Sequence, residues 1–196
     1  MNFRAWKTVD KIEVPRRQVN EAIRLVFDNR DTVAIHTLAA AGFQVLKDLC
    51  QRGGKGKLLA SIQDLIKPGM EREFWRLHNR PANFFKHAKK DSDEPLEEFN
   101  EEMNDVLLFN CCGLYIDLGY LPSPEMRAFQ IWYVALHPEI LKEGQVKDKI
   151  QVTSQELRQM HRIEQLEQGK ALLDHERNPG IDIRSLFFSD QRSPSP

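Results

Sequence analysis

DTVAIHTLAAAGFQVLKDLC, residues Asp31 to Cys50, decides how the rest of the chain is read. Ile35, Leu38, Gly42, Val45 and Leu49 recur at helical spacing, and Asp31 or Thr32 supplies an N-cap. The run Ala39-Ala40-Ala41-Gly42 carries so little bulk that a second helix can approach closely. The charge-free part spans only Thr32 to Leu46, short of the ~20 apolar residues that cross a bilayer. The stretch therefore reads as the core helix of a soluble bundle.

Its neighbours fit that reading. Upstream, Arg16 to Asp28 forms a helix with Val19, Ile23, Val26 and Phe27 on one face. Downstream, the glycine-rich loop Arg52–Lys57 ends the core helix, and a short helix runs from Leu58 to Ile66. The segment Glu71–Ala88 is apolar and aromatic but interrupted by Pro81, which predicts a fresh helix near Asn79–Arg80 or a kink there. A long helix follows from Pro95 to Leu118, then one ending near His137-Pro138. Thr153-Ser154-Gln155-Glu156 opens another that reaches Gln168. The fold class is all-α, a bundle of four to five helices with additional C-terminal helices. Residues 1–15 are an N-terminal extension, 16–120 the bundle, 121–180 the helical extension and 181–196 a flexible tail.

The chain has 196 residues, 41% of them hydrophobic and 29% charged, which excludes a disordered, collagen-like or disulfide-stapled protein. The first residues lack the apolar run of a secretory signal. Cys50, Cys111 and Cys112 show no metal-ligand spacing, so a reducing cytoplasm is the expected location. A net charge of −1 hides a strong asymmetry. Between residues 51 and 90 ten Lys and Arg face three carboxylates, and residues 91–105 carry eight carboxylates and no Lys or Arg. The two blocks either pair with each other or leave a basic surface that meets an anion such as RNA phosphate.

The reactive residue types gather in His78-Asn79-Arg80-Pro81-Ala82-Asn83-Phe84-Phe85-Lys86-His87. At 100° per residue Arg80, Asn83 and His87 share a helical face. A helix beginning at Pro81 would put Arg80 beside free backbone N–H groups, a ready anion site. His87 supplies proton exchange near neutral pH, and a guanidinium stabilises charge on a pentacoordinate phosphorus. These are the parts needed to cleave RNA without a metal. The loop Arg52–Lys57 is no P-loop, because Leu58 replaces the hydroxyl and Gln51 the first glycine. A metal site from His87, Asp91, Asp93 and His36 or His78 competes with a plain turn and cap at Asp91-Ser92-Asp93. No second helix offers a Glu-x-x-His pair, so no metal or cofactor is assigned.

Two segments resemble the HEPN superfamily, compact helical bundles of prokaryotic toxin and phage-defence systems. Ala34 to Gly42 is similar to a second-helix pattern of some bacterial members, and Asn83-Phe84-Phe85-Lys86-His87 resembles the end of the family's motif of Arg, four to six residues, then His. The resemblance covers about residues 16 to 120. It implies a homodimer and a metal-independent endoribonuclease, with Arg80 stabilising the phosphate and His87 transferring the proton. Asn83, Lys86 and His36 would support them, His36 by packing against the helix that carries His87. Non-catalytic relatives bind RNA, nucleotides or partner proteins, so an interaction module is the alternative. No membrane partner is expected.

Overall fold

The computed structural model describes residues 8–87, 93, 95–97, 99–140 and 155–178. The protein is all-α, with no strand among the described residues. Its helices are α1 (Glu13–Phe27), α2 (Thr32–Arg52), α3 (Lys57–Leu65), α4 (Glu71–Lys86), α5 (Glu102–Asp117) and α6 (Pro124–Leu136). A 3-10 turn at Pro138–Ile140, a helical stretch over 155–159 and α7 (Arg162–Arg177) follow.

The chain divides into two compact units, Met1–Ala22 with Asp31–Leu121 and Ile23–Arg30 with Pro122–Pro196. Residues 23–30, assigned by sequence to the bundle of 16–120, thus belong to the second unit. In the first unit α2 is the organising helix. The Asp31 carboxylate accepts from the Ala34 N–H and caps it. At Gly42 an added Cβ would stand 2.9 Å from the Val19 methyl, so the small-residue run does admit a close neighbour, the first half of α1. α2 is long and apolar enough to cross a membrane by length and composition. Its Ile35, Ala39, Phe43, Leu46 and Cys50 are buried inside the unit.

α5 runs alongside α2 in the same direction. Asn104 meets Thr32 and His36, Cys111 lies on Ala39, and Cys50 on Leu114. α4 runs the opposite way on α2, with Phe85 at His36 and Trp75 at Lys47. α5 shows no single apolar face, because Val106 and Ile116 lie on its exposed side while Asn104 and Asp105 are buried. Cys111 and Cys112 are buried free thiols of that helix. The sequence places the start of this helix at Pro95; it starts at Glu102 instead. Asn100 accepts from the Met103 N–H just before it, and Phe99 packs sideways on His36 and Phe85.

In the second unit Phe27 packs on Phe129 and Trp132, and α6 packs on α7. Glu125 is buried and takes Arg24 at 2.6 Å and Arg177 at 2.8 Å. Burial opposes its charge, yet the bonds from Arg177, its own N–H and Arg24 outweigh that and hold its pKa down at about 2. The helix expected from Thr153 to Gln168 is broken at Met160–His161. There the Glu164 carboxylate accepts from the His161 N–H and opens α7. Thr153 and Ser154 lie outside the described residues.

Candidate functional site

α4 carries most of the residues singled out by sequence, and it is one continuous helix. Pro81 stands inside it rather than at a fresh start. The ring removes one backbone donor, and the carbonyl left without it belongs to half-exposed Leu77. The helix persists because Pro81 and Ala82 are buried and the rings on either side, His78 and Phe85, are anchored on α2. Arg80 therefore does not sit at a positive helix N-terminus. Lys86 and His87 sit at the C-terminal end, where a cation complements the dipole and an anion gains nothing from it.

Arg80, Asn83, Lys86 and His87 are all exposed. His87 caps α4 in an extended conformation, with its N–H on the Asn83 carbonyl at 3.1 Å. Among the described residues none makes a side-chain hydrogen bond to Arg80, Asn83 or His87. Residues seven apart in a helix stand about 10 Å apart along the axis. One phosphate contacted by both Arg80 and His87 has to lie over Asn83.

His36 is buried on the other side of α4, where Phe85 and Phe99 stand edge-on to its ring. It does not touch His87 through a bond. Its Nδ1 is 2.8 Å from Asn104 Oδ1, while Asn104 Nδ2 donates to the Thr32 carbonyl. Since Oδ1 is the acceptor, Nδ1 carries the proton of this bond. Burial and the Lys86 charge push its pKa down, against the pull of Asn104. His36 is thus a core residue that seats α4. Asn104→Leu leaves the buried His36 Nδ1–H without its partner, so we expect a loss of about 2 kcal/mol in urea unfolding.

His78 lies further along the same seam, 5.1 Å from Phe43, 5.4 Å from Trp75 and stacked on Phe74 at 6.0 Å. Burial, then the nearby Lys47 and His36, push its pKa down to about 4. Lys47 lies 3.6 Å from the centre of the Trp75 ring. Neither histidine is a solvent-facing base.

The loop Arg52–Lys57 is not a phosphate cradle. The Leu58 N–H at the start of α3 is already taken by the Asp117 carboxylate at 2.8 Å, and Lys55 donates to the Leu118 carbonyl. Leu58 also fills the space over Gly113 that a Cβ would need. Among the described residues no three His, Cys, Asp or Glu side chains are grouped to hold a metal, and Asp91 lies outside them.

What the sequence reading missed is a line of arginines. Arg72, Arg76 and Arg80 stand four residues apart, all exposed, ahead of Asn83 and His87. Glu73 binds Arg76 by two bonds, of 2.8 and 2.6 Å. None of the described Lys or Arg of 52–86 pairs with Asp93, Glu97, Glu101 or Glu102. The i, i+4, i+8 interval was visible in the sequence and was hidden only by the expected break at Pro81. The chain matches no protein-family model, no curated protein and no solved structure.

Proposed function

We propose that this chain binds single-stranded RNA through the exposed face of α4, as a HEPN-like helical protein. The observation that supports it is the exposed line Arg72, Arg76, Arg80 and Asn83 on α4 with His87 at its C-cap, in which Glu73 on Arg76 is the one carboxylate partner found among the described residues. Four residues advance a helix by about 6 Å, an interval at which three guanidinium groups can follow successive phosphates of one strand. Phosphate contacts of this kind carry most of the affinity and little sequence preference.

Cleavage is the enzymatic form of the same reading. His87 would take the 2′-hydroxyl proton, the 2′-oxygen would attack phosphorus, and Arg80 would stabilise the added charge. The 5′-oxygen would leave with a proton taken from solvent water, giving a 2′,3′-cyclic phosphate end. Two copies would bring their Arg80 and His87 pairs to one cleft. Binding takes precedence over cleavage because no described residue orients the His87 ring.

The test is fluorescence polarisation of a labelled mixed-sequence RNA across a salt series, with EDTA present and product ends analysed. We expect log affinity to fall with log salt at a slope of about −2, from about 0.7 per phosphate. Arg80→Ala should reduce that slope by about 0.7 and weaken binding about tenfold at low salt. Absence of binding at low salt overturns the reading. Cyclic-phosphate ends that vanish in His87→Ala add the catalytic form to it.

A further inference from the structure

Beside the arginine line, α3 and α4 enclose an apolar groove of about 360 Å³, floored by Ile62, Ile66, Phe74 and Leu77. Met70 on its wall and Leu77 on its floor are each about half exposed. Lys67 stands on its rim and so does Glu73.

We propose that this groove takes an unpaired base of the RNA strand whose phosphates lie on Arg76 and Arg80. The inference rests on the RNA reading of α4 and extends it from backbone to base. Leu77 follows Arg76 directly and precedes Arg80 by three residues, so groove and cations are adjacent on one helix. A strand held by those two guanidinium groups therefore has its bases within reach of the groove. The groove is apolar with few polar groups, the usual make-up of a site for a flat aromatic ligand. Phe74 offers a ring for stacking and is itself backed by the parallel His78 ring.

The rim favours a base over an acidic helical peptide. Glu73 gives two of its carboxylate lone pairs to Arg76 and keeps others free for a base amino or imino N–H. Lys67 can donate to a ring nitrogen or carbonyl oxygen. A rim of mixed sign matches the donor and acceptor edge of a base, whereas an acidic peptide would have to face Glu73.

The experiment compares a short oligoadenylate with an abasic ribose-phosphate oligomer of the same length, on wild type, Leu77→Gln and Arg80→Ala. Wild type is expected to bind the base-bearing strand about tenfold more tightly. Leu77→Gln should erase that preference and leave affinity for the abasic strand unchanged, and Arg80→Ala should weaken both strands alike. Equal affinities in wild type overturn the groove assignment and leave α4 as a phosphate-binding face. Failure of both strands to bind overturns the RNA reading itself. Binding of a Glu-rich amphipathic peptide that Leu77→Gln abolishes, with no base preference, would assign the groove to a protein partner instead.

Discussion

Acidification from about pH 6.5 to pH 4 is expected to cost the protein on the order of 3 kcal/mol of stability through His78 alone. In the folded state its pKa sits at about 4, against an ordinary value near 6.5. The neutral ring is therefore favoured by the fold, and its contribution is complete above pH 6.5. As pH falls, the unfolded chain binds the proton and the folded chain does not, so stability drains away until the folded pKa is reached. The cause is physical and local: a ring lodged among Phe43, Phe74 and Trp75, with Lys47 and His36 adding positive charge nearby. His78→Gln should be less stable at neutral pH yet show a much shallower pH dependence in urea unfolding. The slope that remains belongs to His36, whose pKa is shifted in the same direction, and towards pH 4 to carboxylates such as Glu125. An undiminished slope in His78→Gln would contradict this assignment.

Gly169→Val is expected to destabilise the second unit by about 3 kcal/mol. A Cβ on Gly169 of α7 would overlap the Phe27 ring. Phe27 is 4% exposed and held by Phe129 at 6.0 Å and Trp132 at 5.5 Å, so the ring has nowhere to turn. Valine adds two further methyl groups, and its helix propensity, about 0.4 kcal/mol better than glycine's, offsets little of the clash. Thermal unfolding should show the loss, and the Phe27→Ala background should recover much of it, since the clash is between those two residues. Full additivity of the two substitutions would place the strain elsewhere.

The all-helical class and the central role of α2 were legible because they are local. Period, cap and the close approach at Gly42 all lie within one short stretch. α4 was misread at Pro81 because the intrinsic cost of proline, about 3 kcal/mol, argues for a break. Packing of His78 and Phe85 on α2, one on each side of the ring, offsets it, and no local signal carries that information. The start of α5 was misplaced for the same reason, since Phe99 is drawn out of the helical period towards His36. At the site, the shared face of Arg80, Asn83 and His87 followed from their spacing, and its exposure came only with the fold. The bond between His36 and Asn104 spans 68 residues, and only the fold brings its ends together. Asn104, a polar residue in a helix whose buried side chains are mostly leucine and cysteine, was a hint.

The central claim, that α4 meets RNA along its arginine line, is tested most directly by NMR. Nitrogen-15-labelled protein would be titrated with a short single-stranded RNA while backbone amide and arginine Nε–H signals are followed. The account predicts changes confined to residues 72–87 and the adjoining groove, with the Nε signals of Arg72 and Arg80 moving furthest. Changes centred on the loop Arg52–Lys57 or on α6 and α7, or no changes at all, would contradict it.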